Sequence, residues 1–163
     1  MEIYYEYSIS ILLKTFYHFF VVDAPIDKAW DFYTDLRHLE IITPKRLDFK
    51  IIESSSNKIT LGQTAYFSSK ILTRITWKTK ITACKPYSYV DEMNNVLFKR
   101  WRHTHVFHKI NENQTKVTDE VEFELQCGLI GTMFEWYALD KLKKIFAYRQ
   151  QATIEYLSNF KPF

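Results

Sequence analysis

Two histidines spaced two apart, His103 and His105, and one acid further along the chain, Asp119, are the residues whose types and spacing could carry chemistry. The pattern around them has a period of two: Trp101, His103, His105 and Phe107 alternate with Arg100, Arg102 and Thr104, so both imidazoles fall on the apolar side of a strand. A turn at 111–114 that sets Phe107 against Val117 also sets His105 against Asp119 and His103 against Val121. In that pairing Asp119 orients an imidazole that can move a proton to or from a bound carbonyl or enol, as a cyclase, dehydratase or isomerase requires. A buried polar pair that satisfies itself and fixes strand register has the same pattern, and no nucleophile or second acid stands beside this one. A divalent ion could use the two histidines with Asp119 opposite. His18 and His108 supply no evident third ligand, so neither a metal nor another cofactor is expected.

The fourth polar candidate is Arg149, which sits among apolar residues at helical spacing. Ala138, Leu142, Ile145, Arg149, Ala152, Tyr156 and Phe160 form one stripe, widened by Leu139, Phe146, Thr153 and Leu157. Lys141, Lys144, Tyr148, Gln151 and Glu155 take the other face. The helix predicted over 132–160 has about 29 residues and spans ~43 Å. A guanidinium on its stripe must meet a carboxylate, Asp119 or Asp91, or the anionic end of a ligand. In the empty protein an internal salt bridge is expected.

So long a helix needs a wide apolar partner, and the upstream sequence predicts one. Residues 15–22 form a β-rich run that ends at Asp23-Ala24-Pro25, after which Ile26, Ala29, Trp30 and Tyr33 keep helical spacing. Asp35 can cap a second short helix through Leu36, Leu39 and Ile42, stopped by Pro44. Six strands follow at 47–53, 63–72, 74–84, 87–93, 97–110 and 115–126, joined by short polar turns as an antiparallel meander. Odd positions Ile75, Trp77, Thr79 and Ile81, and again Val117, Val121, Phe123 and Leu125, mark the buried face. The expected class is α+β, one domain over 1–163, with residues 1–14 an extension outside the pattern.

The 11 Tyr, 13 Phe and 4 Trp against 3 Gly belong to a chain that folds around a ring-rich core. The 22 basic and 19 acidic residues are mixed along the chain and leave a net charge of +3, which argues against a nucleic-acid partner. The apolar stretch from Ile9 to Val22 follows Glu2 and is interrupted by Lys14 and His18. Neither a signal peptide nor an integral membrane segment is therefore expected, and the expected location is the cytoplasm. Cys84 and Cys127 have no metal-ligand spacing and are expected to remain thiols. The expected assembly is a monomer or weak dimer.

DAPIDKAWDFYTDLRHLEIITP (23–44), Gly62, WKTKI (77–81), KPYSYVDE (85–92), FKRWRHTHVF (98–107), TKVTDEVEF (115–123), Gly128, Gly131 and LKKIFAYR (142–149) follow one another across nearly the whole chain. In order and spacing they resemble the SRPBCC, or START-like, superfamily, and within it the ligand-binding SRPBCC proteins. The resemblance implies a helix-grip fold. In that fold a seven-stranded curved antiparallel sheet wraps a long C-terminal helix, with two short helices after the first strand and an elongated cavity between sheet and helix. The chain departs from such relatives at Asn94-Asn95-Val96, where Gly-Pro is expected. The wider family includes polyketide cyclases and lipid-transfer proteins, so membership alone does not fix an activity.

For such a cavity the expected apolar lining is Tyr66, Trp77, Tyr89, Trp101, Phe107, Phe123, Phe134 and Trp136, the last two as a lid where the long helix begins. His103, His105, Asp119 and Arg149 would supply the polar end. The expected partner is a small hydrophobic molecule, a lipid, isoprenoid or polyketide-like compound, that is bound and left unchanged. One alternative is a cyclase-, dehydratase- or isomerase-type enzyme with His105 and Asp119 as its catalytic pair; the other is a protein-interaction or regulatory module.

Overall fold

The computed structural model describes residues 13–71, 73–126 and 133–159. Its elements run β1 (Lys14–Val22), α1 (Ile26–Thr34), two 3-10 turns (Leu36–Glu40 and Lys45–Leu47), β2 (Lys50–Ser54), β3 (Thr64–Lys70), β4 (Arg74–Lys85), β5 (Ser88–Asn94), β6 (Phe98–Asn111), β7 (Gln114–Leu125) and α2 (Glu135–Ser158). Residues 1–12, Cys127, the expected break between Gly128 and Gly131, and Phe160 lie outside the described residues.

The seven strands form one sheet in the order β1-β7-β6-β5-β4-β3-β2, antiparallel at each junction. Strands β2 to β7 are a meander. β1 joins its far edge beside β7, so the helical segment between β1 and β2 crosses from one edge of the sheet to the other. Register shifts at Ile51/Glu53, Ile81/Ala83 and Phe98/Arg100 bend the strands. This is the expected helix-grip arrangement.

Local chemistry explains the segment boundaries. Pro25 opens α1, and its carbonyl accepts from Lys28 N and Ala29 N at 3.0 and 3.1 Å. Asp35 leaves α1 in an extended conformation, and its carboxylate accepts from Arg37 N at 3.1 Å, capping the next turn as expected. The strand expected from residue 47 begins only at Lys50. Lys45–Leu47 instead turns once and is closed by Asp48 in the left-handed region, φ 41°. At the departure from Gly-Pro, Asn95 Oδ1 accepts from Leu97 N and Phe98 N at 2.8 and 2.9 Å, an Asx turn that closes the hairpin between β5 and β6.

Two clusters fasten α2 to the sheet. Leu142 and Phe146 pack on Phe16, Val121 and Phe123 of β1 and β7. Leu157 joins Phe32 and Tyr33 of α1 with Phe107 and Val117. Midway, Tyr33 Oη and Thr153 Oγ1 are hydrogen-bonded at 3.2 Å, and Thr153 is fully buried. Among the described residues no helix is long and apolar enough to cross a membrane.

Candidate ligand-binding site

A cavity lies where α2 leaves the inner face of the sheet uncovered. Trp77, Thr79 and Ile81 of β4, Tyr89, Asp91 and Met93 of β5, and Trp101, His103 and His105 of β6 form its floor. These are the odd positions of three neighbouring strands, as the period of two requires. Leu36, Leu39 and Phe49 face them from the helical segment, Ala65 and Phe67 close the β3 side, and Tyr33 and Arg149 complete the wall. The free space is ≈ 790 Å³ including the open mouth.

The polar part of the floor is a stack. The His103 and His105 rings lie with centroids 3.7 Å apart, and Tyr89 stacks on His105 at 4.1 Å. Strand register places His105 opposite Asp119 on β7 and His103 opposite Asp91 on β5, so a carboxylate from each neighbouring strand reaches the imidazoles. Asp119, with no exposed surface, accepts from His103 Nε2 at 2.9 Å. The same oxygen lies 3.1 Å from His105 Nδ1, off the hydrogen-bonding direction. On the cavity side, His105 Nε2 donates to Asp91 Oδ2 at 3.0 Å, and His103 Nδ1 is 3.5 Å from that oxygen.

Electrostatics separate the two rings. Burial opposes charge on His105, but Asp119 and then Asp91 outweigh it and raise its pKa. Burial, with the neighbouring His105 adding to it, pushes His103 down to about 4. Burial also works against ionising Asp119 and Asp91, yet the histidines hold both carboxyls below their ordinary range. His105, between two carboxylates, therefore holds its proton to higher pH than an ordinary imidazole, whereas His103 is held neutral with its bare Nδ1 toward Asp91.

Arg149 does not form the expected salt bridge; among the described residues its guanidinium has no ion pair with Asp91 or Asp119. Both carboxylates are already engaged by the histidines. The guanidinium instead lies over Phe146, Cζ 4.9 Å from the ring centre, and its buried Nε has no hydrogen-bond partner. His18, opposite Asp119 on β1, is also buried without a hydrogen bond to either ring nitrogen; burial lowers its pKa.

Of the residues expected to line a cavity, Trp77, Tyr89, Trp101, His103, His105 and Arg149 do so. Phe107 and Phe123 are core instead, packed against α1 and α2. Asp119 lies behind the histidines. Tyr66 occupies an even, outward position at 39 % exposure, and Lys78 lies over its ring. Phe134 and Trp136 do not form a lid over this cavity: they are 59 % and 70 % exposed, to the side of the stripe held by Leu142 and Phe146. The residue missing from the expected site is Asp91. Its signal was the alternation Tyr89, Asp91, Met93, which marks the same face as Trp101, His103 and His105.

The family model described as polyketide cyclase / dehydrase and lipid transport matches residues 22–144. No curated protein matches the chain in sequence. Solved structures match in fold. The Zhui aromatase/cyclase from Streptomyces sp. R1128 is 11% identical with a TM-score of 0.71, over 90% of this chain and 94% of that one. Norcoclaurine synthase from Thalictrum flavum, in complex with dopamine and hydroxybenzaldehyde, is 13% identical with a TM-score of 0.68, over 93% and 90%. A START superfamily protein from Mycobacterium smegmatis is 8% identical with a TM-score of 0.69, over 90% and 99%.

Proposed function

Because the chain belongs to the polyketide cyclase / dehydrase and lipid transport family, we propose that it binds a small, largely apolar molecule with an anionic or carbonyl end in the cavity between sheet and α2. The observation that carries this reading is Arg149, a guanidinium on the lining whose buried Nε lacks a partner. Burying such a group without a hydrogen bond costs stability, and an oxygen ligand removes that cost. The walls match the rest of the molecule. Trp77, Trp101, Tyr89 and Phe67 offer rings against which apolar surface is worth about 25 cal/mol per Å² removed from water.

A second reading, acid–base turnover of the bound molecule, is favoured by one contact. His105 and Asp91 form a hydrogen-bonded pair on the cavity lining, within reach of what the cavity holds. Two fold relatives are described as an aromatase/cyclase and a synthase.

Native mass spectrometry of protein purified from its own host, with a thermal-shift panel of fatty acids, isoprenoid acids and aromatic carboxylates, tests the binding reading. A co-purified mass or a saturable rise in Tm is expected. An empty preparation that no member of the panel stabilises would remove its support. His105→Gln separates the two readings: loss of turnover with binding retained marks an enzyme.

A further inference from the structure

Asp91, His103 and His105 bring three metal-ligating atoms within 4.8 Å of one another on the cavity lining. The cluster's fourth member determines which atoms these are. An ionised carboxylate only accepts, so the ring nitrogen hydrogen-bonded to Asp119, His103 Nε2 at 2.9 Å, carries a proton and leaves His103 Nδ1 bare. The opposite nitrogens, His103 Nδ1 and His105 Nε2, face Asp91 Oδ2 at 3.5 and 3.0 Å. The bare His103 nitrogen and the carboxylate oxygen repel unless positive charge lies between them, whereas His105 Nε2 reaches the same oxygen through the proton it donates. A proton on His105 relieves one of the two contacts. A divalent cation relieves both.

The geometry points to a metal site of the zinc class, with Asp91, His103 Nδ1 and His105 Nε2 as ligands. The two separations from Asp91, 3.0 and 3.5 Å, bracket the edge, roughly 3.3 Å, of a tetrahedron with bonds of about 2.0–2.1 Å, and the third, between the two imidazole nitrogens, lies within 4.8 Å. Two imidazoles and a carboxylate suit an ion of intermediate softness. Asp119 is placed as the outer carboxylate that orients a metal-binding histidine, His103, and fixes its tautomer, with His105 Nδ1 3.1 Å from the same oxygen. The fourth position opens on the cavity, as at sites where a metal holds water or a bound molecule. The sequence pattern offers Asp119 as the carboxylate beside the two histidines and Asp91 only as a partner for Arg149; the structure puts Asp91 in the ligand position and Asp119 behind it.

Charge sets the class of molecule the metal would share. With neutral rings, Asp91 and Asp119 exceed Arg149 by one negative charge, and a divalent ion turns that into one positive charge. The open position and Arg149 together then favour an anionic oxygen donor, a carboxylate or an enolate. This last step rests on the binding reading above; the metal site itself does not.

The test uses the full chain, stripped with chelator and titrated with Co²⁺, read by visible absorption, and separately with Zn²⁺, read by calorimetry. Stoichiometric binding with the intense spectrum of four- or five-coordinate Co²⁺ is expected. Asp91→Asn and His105→Gln should each abolish it, and Asp119→Asn should weaken it by about 10–100-fold. Circular dichroism checks that each variant folds. If Asp91→Asn does not, the His103 and His105 imidazole resonances of the wild-type protein must be those that shift as Zn²⁺ is added. A spectrum that remains that of hydrated Co²⁺, or variants that bind like the wild type, would overturn the site. The carboxylate panel run without metal reads the binding proposal alone, so either can fail by itself.

Discussion

His103 and His105 lie with ring centroids 3.7 Å apart and planes tilted by 38°, and a carboxylate bridges the pair on each side. Asp119 is the inner bridge and has no solvent to replace it. Asp119→Asn keeps the shape but withdraws the buried charge that accepts from His103 and raises the His105 pKa. A loss of about 3 kcal/mol is expected, the usual scale for removing one member of a buried charged pair. Urea unfolding reads it as a lower midpoint at unchanged slope; an unshifted midpoint would contradict the arrangement.

Arg149→Leu should separate binding from stability. Its buried Nε has no partner, which offsets the contact of its guanidinium with the Phe146 ring, so the empty protein should change little in Tm when Leu keeps the apolar packing. Affinity for a carboxylate ligand should fall about 10- to 100-fold, the worth of one charge-assisted hydrogen bond. Thermal unfolding and calorimetry on the same preparations decide; a drop in stability without loss of affinity would make Arg149 structural.

Tyr33 ties α1 to α2 through its hydroxyl, 3.2 Å from Thr153 Oγ1 in a fully buried setting. Tyr33→Phe leaves that oxygen without its partner and should cost about 1 kcal/mol. Equilibrium unfolding measures it. An unchanged midpoint would mean the two helices are held by packing alone.

Asp35 provides a test by pH. The Arg37 side chain beside it holds its carboxyl down to about 2. A folded pKa below the ordinary carboxyl value means that the charged form stabilises the fold. That contribution is complete above roughly pH 4 and is lost as pH falls toward 2. Arg37 is solvent-exposed, so the effect is small. Asn also caps well, so Asp35→Asn isolates the charge. The wild type should lead the variant in urea midpoint at neutral pH and lose that lead in acid; a lead that grows on acidification would contradict the pair.

The fold was legible because its two periods are strong. The odd positions of β4, β6 and β7 are inward, and the register that pairs His105 with Asp119 is set by the Asn111–Gln114 turn together with a one-residue register shift between Lys109 and Asn111. The site was legible only where a strand showed clean alternation. β5 is short and its face carries a carboxylate, so hydrophobicity alone did not mark Asp91 as inward. Ring-rich composition could not separate core from lining: Phe107 and Phe123 fill the contact with the helices, whereas Trp77 and Trp101 border free space. Arg149 needed three dimensions, because whether Asp91 and Asp119 remain free for it depends on the histidines between them.

The central claim is that the cavity receives an apolar molecule whose oxygen end meets Arg149. Nitrogen-15 NMR of the full chain, titrated with 2-naphthoate and with decanoate, tests it most directly, because the side-chain N–H groups of Trp77, Trp101 and Arg149 border the same space. The Arg149 Nε–H signal and both indole signals should shift together and saturate at one affinity. Shifts confined to exposed groups such as Trp136, with Arg149 unmoved, would contradict the claim.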